Sequence, residues 1–155
     1  MKYEVVNLEE KTLVGIGVRT TNENMKAMED IGIVWGRFIG EDIIGNIKNR
    51  VNEMAIGLYT EYEGDFTKPY KFYAGVEVEE AQDLDLNERL DVKTIHGGKY
   101  AKFTVKGHMQ QAVGEAWGKI WEMDLDRKYD CDFEVYHNDS EDMNNQTIDI
   151  YIALK

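Results

Sequence analysis

The chain carries one order of hydrophobic patterns twice, and that order leaves few folds open. Alternating apolar residues predict a strand over 13–20, a three-to-four period predicts a helix over 24–39, and strands follow over 54–62 and 70–78. The order returns as a strand over 99–105, a helix over 109–125, and strands over 130–137 and 147–154. A further strand is expected over 3–8. Trp35-Gly36-Arg37-Phe38 and Trp117-Gly118-Lys119-Ile120 occupy comparable places in the two helices. The expected fold is therefore α+β, in one domain spanning 1–155. Its halves, about 3–80 and 90–155, are read as a pseudo-twofold internal repeat. Each supplies strand-helix-strand-strand, and together they form one mostly antiparallel sheet with two main helices.

The helices need that sheet. Met28, Ile31, Trp35 and Phe38 form an apolar stripe on the first, and Val113, Trp117, Ile120 and Trp121 form one on the second. Gly32, Gly36, Gly114 and Gly118 lower intrinsic helix propensity, so packing must hold both helices in place. Pro69 precedes a strand, where a missing amide donor does little harm. Asn138-Asp139-Ser140-Glu141-Asp142 reads as a loop, and Gly97-Gly98 as a turn.

Successive strand residues point to opposite faces, so each strand can be divided into two sets. The inward sets are read as Ile56 and Leu58; Phe72, Ala74, Val76 and Val78; Ala101, Phe103 and Val105; Phe133 and Val135; and Ile148, Ile150, Ile152 and Leu154. That leaves Tyr59, Tyr73, Tyr100, Tyr136 and Tyr151 on the free face, five of the nine tyrosines, together with Glu134. Aromatic walls with a few placed polar groups make a small-molecule groove. A carboxylate among aromatic rings is desolvated, so it either rises in pKa or meets a cation. The expected ligand is lipophilic and cationic, held in a central groove by Tyr59, Tyr73, Tyr100, Glu134, Tyr136 and Tyr151. Whether Trp35 and Trp117 also line the groove stays open.

Charge narrows the partners. Thirty acidic residues against 18 basic ones give a formal net charge of −12, which disfavours phosphate-backbone binding and mildly attracts cations. Cys131 is the only cysteine, so no intramolecular disulfide forms; it falls on the Phe133 face and reads as a core thiol. His96, His108 and His137 show no metal-ligand spacing with Cys131 or with one another, and no metal or cofactor is expected. Nucleophile-elbow, P-loop and dinucleotide fingerprints are absent. No apolar run has the length of a signal peptide or a membrane span, so a cytoplasmic location is expected.

The chain also resembles a known family, the GyrI-like small-molecule-binding proteins, whose domain serves as the effector-binding part of AraC-type and MerR-type regulators. The resemblance runs through Ile31-Gly32-Ile33-Val34-Trp35, Ile56-Gly57-Leu58-Tyr59-Thr60-Glu61-Tyr62-Glu63 and Gly97-Gly98-Lys99-Tyr100-Ala101. It continues through Ala116-Trp117-Gly118-Lys119-Ile120-Trp121, Phe133-Glu134-Val135-Tyr136 and Ile148-Asp149-Ile150-Tyr151-Ile152. It implies a duplicated α+β fold whose central groove binds hydrophobic, often cationic compounds. It also implies that the acid of the Phe-Glu-x-Tyr motif, here Glu134, contacts the ligand.

Two other roles come with the resemblance. Some members look like hydrolases that open strained rings in cyclopropane-bearing genotoxins; on these residues Glu134 would position or deprotonate water, and a neighbouring phenol such as Tyr136 or Tyr59 would stabilise the leaving oxygen. The family's namesake inhibits DNA gyrase, which makes a regulator or gyrase a candidate protein partner. The domain starts at Tyr3 with no helix-turn-helix segment ahead of it, so direct DNA binding is not expected.

Overall fold

The computed structural model describes residues 2–79, 90–138, 140–142 and 144–155. The stretch joining the two expected halves, 80–89, lies outside the described residues, as does Asp139 of the expected loop. Eight strands form one antiparallel sheet: β1 (Glu4–Leu8), β2 (Lys11–Thr20), β3 (Arg50–Thr60), β4 (Tyr70–Val78), β5 (Asp91–Ile95), β6 (Gly98–Gly107), β7 (Asp132–Tyr136) and β8 (Gln146–Ala153). Helices α1 (Lys26–Gly40) and α2 (Gln111–Glu122) complete the fold. The expected order is therefore observed, with one addition. β5 is short and carries charges at Asp91 and Lys93, so it shows no apolar alternation to read.

The strands lie side by side as β1-β6-β8-β7-β3-β4-β2-β5. The strands β6, β8 and β7 on one side of the centre mirror β2, β4 and β3 on the other. Between them runs a single seam, where Gly57 of β3 faces Glu134 of β7 and Leu58 faces Phe133. The outer strands are exchanged: β1 pairs with β6, and β5 pairs with β2.

Both faces of this sheet are apolar. On one face α1 packs on β2 and β4, burying Val34 and Phe38 against Val14, Ile16, Phe72, Ala74 and Val76. On the same face α2 packs on β6 and β8, burying Val113, Ala116, Trp117 and Ile120 against Phe103, Ile148, Ile150 and Ile152. Each such aliphatic side chain contributes about 1.5–3 kcal/mol of burial. The other face holds Leu13, Ile56, Leu58, Tyr73, Ile95, Tyr100, Cys131 and Phe133 in one cluster. That cluster joins residues from β2 and β5 at one end of the sheet to Val6 and Leu8 of β1 at the other. One cluster can span both ends only if the sheet curls around it, giving a half-barrel with the helices outside. The curl brings backbones close. A Cβ on Gly15 would collide with the Ala74 carbonyl, so only glycine fits there.

The helix stripes are rotated from the sequence reading. Met28 is 69% exposed, while Ala27, Val34 and Phe38 are buried. On α2, Val113, Trp117 and Ile120 are buried as expected, but Trp121 is 41% exposed. At the start of α2, the backbone N–H groups of Gln110 and Gln111 donate to His108 Nδ1. A histidine thus serves the donors that a Ser or Asp cap ordinarily would.

Candidate functional site

Because α1 covers β2 and β4 while α2 covers β6 and β8, the strip above β3 and β7 lies between the helices. Register fixes what this strip presents. Gly57 has no side chain, and the Glu134 carboxylate lies across it: a Cβ there would sit 2.8 Å from Glu134 Oε1 and 3.1 Å from the Phe72 ring. Glu134 is 1% exposed. Three donors converge on it. Trp117 Nε1 (2.6 Å) and the Tyr59 hydroxyl (2.9 Å) donate to Oε2, and the Tyr136 hydroxyl (2.8 Å) donates to Oε1. Among the described residues no lysine, arginine or histidine forms an ion pair with Glu134.

Burial pushes the Glu134 carboxyl above the usual glutamate range, and the hydrogen bonds from Trp117, Tyr136 and Tyr59 oppose that rise. The same burial, with the acid alongside, raises the Tyr59 and Tyr136 phenols well above their ordinary value, so both stay protonated donors. The result is a preorganised carboxyl group in a ring of aromatics. Trp35 of α1 meets Tyr136 edge-on at 5.2 Å, and Trp117 of α2 meets Tyr59 at 5.0 Å. Tyr59 also meets Phe72 at 5.0 Å. Each helix therefore sends a tryptophan to this cluster: Trp117 bonds the acid itself, and Trp35 packs on its donor Tyr136. At one end Phe66 stacks on Trp121, with ring centroids 5.6 Å apart and planes 7° off parallel.

A second buried acid stands two residues back on the same face. Asp132 accepts from Arg127 Nη2 (2.8 Å), the Tyr62 hydroxyl (2.7 Å) and the Ala153 backbone N–H (2.8 Å). Burial pushes its carboxyl up as well. Asp132 differs from Glu134 in having its cation supplied by the protein.

The structure brings together only three of the six residues expected at the groove: Tyr59, Glu134 and Tyr136. Tyr73 and Tyr100 lie on the opposite, concave face in the Phe133 cluster, with Tyr151 packed against it. Tyr73 and Tyr100 are buried there, and the Tyr100 hydroxyl donates to the His96 carbonyl oxygen at 2.6 Å. The physical reason is register. Pairing places Glu134 beside Ile150 and Gly57 beside Ala74, so the acid shares the helix-covered face that was read as core. Alternation divides one strand correctly, but it cannot match the sets of different strands when both faces are apolar. Trp117, whose place the sequence leaves open, is a direct donor to the acid, and Gly57 makes room for the carboxylate without any pattern in its own strand to mark it. The Trp-Gly pair repeated at Trp35-Gly36 and Trp117-Gly118 was the available signal. Among the described residues no helix is long and apolar enough to cross a membrane.

Known proteins share this fold. An integron cassette protein from the mobile metagenome of Vibrio cholerae superposes with a TM-score of 0.74 at 28% identity, over 99% of this chain and 95% of that one. SAV2435, solved bound to tetraphenylphosphonium, superposes with a TM-score of 0.80 at 23% identity, over all of this chain and 94% of that one. YobU of Bacillus subtilis strain 168, described as a candidate transcriptional regulator, is 27% identical over 158 residues, covering 97% of this chain and 96% of its own. The fold is the GyrI-like one that the sequence resemblance implies. Matched by the family model over residues 4–154, the chain belongs to Cass2, the family of integron-associated effector binding proteins.

Proposed function

We propose that the chain binds lipophilic cations between α1 and α2, with Glu134 as the counter-charge and Tyr59, Tyr136, Trp35 and Trp117 as the aromatic walls. One observation carries this reading: Glu134 is a buried acid held by three neutral donors, with no protein cation paired to it among the described residues. An acid so placed bears a desolvation cost that a bound cation would offset. Ring faces attract the same cation independently. The net charge of −12 adds long-range attraction. That SAV2435 holds tetraphenylphosphonium supports a cation of this kind for the shared fold.

The test compares tetraphenylphosphonium with tetraphenylborate, an anion of nearly the same shape, by following tryptophan fluorescence during titration. The cation is expected to saturate a single site while the anion does not bind. Equal binding of the two would reduce the groove to a greasy slot and remove the role given to Glu134.

A second reading uses the same residues. Burial raises the Glu134 carboxyl, and it sits beside two phenols that stay protonated, as hydrolysis of a strained electrophilic ring would need. Incubation with excess cyclopropane-bearing compound separates the two: multiple turnovers favour hydrolysis, and consumption of no compound favours binding alone.

A further inference from the structure

Away from the groove, on the opposite face of β7, the fold assembles three side chains that sequence spacing keeps apart. His96 follows β5, and Asp130 and Cys131 precede β7, with His96 and Cys131 35 positions apart in the chain. His96 Nδ1 stands 2.8 Å from Asp130 Oδ2 and 3.8 Å from Cys131 Sγ. All three donor atoms lie within 4.8 Å of one another. The expectation that these histidines and the cysteine have no metal-ligand relationship rested on linear spacing, and folding removes that ground.

We propose that His96, Asp130 and Cys131 form a binding site for a soft divalent metal ion, Zn²⁺ being the natural occupant. Zinc bonds of about 2.0–2.3 Å to nitrogen, oxygen and sulfur put tetrahedral ligand atoms about 3.4–3.6 Å apart. The sulfur-to-imidazole distance is already close to that value. The imidazole and carboxylate need to separate by roughly half an ångström, exchanging one hydrogen bond for two metal bonds. The donor set of thiolate, imidazole and carboxylate selects zinc, cobalt or nickel over magnesium and calcium, which prefer oxygen alone.

The surroundings fit a site rather than a chance meeting. Cys131 is fully buried and forms the floor, whereas the His96 and Asp130 side chains are 55% and 29% exposed and form the lip. Three protein ligands with an open, solvent-facing side leave a fourth position for water. The ligands are held from behind. The Tyr100 hydroxyl fixes the His96 backbone through its carbonyl, and the Thr60 hydroxyl lies 3.7 Å from Cys131 Sγ. Ile95, next to His96, is buried in the concave cluster and anchors that end of β5. Without a metal, the same atoms make a surface His–Asp pair of little energetic weight above an inert thiol.

Cobalt titration of the full chain tests the proposal directly. Because Cys131 is the only cysteine, a thiolate-to-cobalt charge-transfer band can arise from no other residue. The expected result is such a band with intense tetrahedral d–d absorption, saturating at one equivalent and bleached by added Zn²⁺. Cys131→Ser should abolish the band. His96→Ala, a change at an exposed position that leaves the core intact, should weaken cobalt binding about tenfold or more. Binding of tetraphenylphosphonium should be unchanged in His96→Ala, since that residue lies on the other side of the sheet. No charge-transfer band, or unchanged cobalt affinity in His96→Ala, would overturn the assignment.

Discussion

Replacing Glu134 by Gln tests the groove chemistry with the least disturbance of shape. The amide keeps one oxygen to accept from Tyr59 and Trp117, and its NH₂ group can donate to the Tyr136 hydroxyl, which accepts as well as it donates. What is lost is the charge. For a bulky cation whose centre is taken at roughly 7 Å from the carboxylate, the attraction lost at an effective dielectric of about 20 is about 2.4 kcal/mol. That corresponds to roughly fiftyfold weaker binding of tetraphenylphosphonium, read by isothermal titration calorimetry. Stability should move the other way. Burial raises the Glu134 carboxyl, so the folded chain holds this proton more tightly than the unfolded chain does. The stabilisation is complete below the ordinary glutamate range and is lost as pH rises through the raised value. Above that raised value the wild-type protein carries a buried charge that the variant lacks. Glu134→Gln should melt at an equal or higher temperature at neutral pH, with the gap closing on acidification. Unchanged affinity would refute the reasoning. A melting temperature several degrees lower would refute it too, because the acid would then be structural.

Four further outcomes are expected. Wild-type affinity for the cation should fall on acidification, beginning above the usual glutamate range because Glu134 protonates early, and titrations of Glu134→Gln over the same pH series should stay flat. Gly57→Ala should displace the carboxylate and weaken cation binding about tenfold. By contrast, Gly114→Ala, whose Cβ meets nothing within 4 Å, should raise stability by up to about 1 kcal/mol in chemical denaturation. Arg127→Met should cost about 3–5 kcal/mol in urea unfolding by leaving Asp132 buried without its cation. Adding Asp132→Asn should restore part of that loss, and purely additive costs would argue against the pair.

Local patterns disclosed the elements far better than they disclosed the site. Tyr70–Val78 could be read residue for residue, because Phe72, Ala74, Val76 and Val78 alternate without interruption. The strand-helix-strand-strand order was equally visible. The face of Glu134 was not. A carboxylate and several tyrosines look like a solvent-facing set, yet this sheet has a helix-covered face and a curled inner face, both apolar. Only the pairing of Gly57 with Glu134 decides between them, and pairing is a property of two strands 77 residues apart. The Arg127–Asp132 pair gave no signal either, since charges that neighbour each other in sequence usually mark a loop.

The position of the β3–β7 seam has a consequence for what the protein can accept. Each helix is anchored to its own set of strands, so the gap between Trp35 and Trp117 is governed by how strongly the sheet twists where those sets join. Sheet twist varies over roughly ten degrees or more at little cost. On the proposed function, guests of different girth would be admitted by a slight opening or closing at the seam, with the packing beneath each helix left intact. Breadth of recognition would, on the same proposal, come from curvature, and no loop would have to refold to provide it.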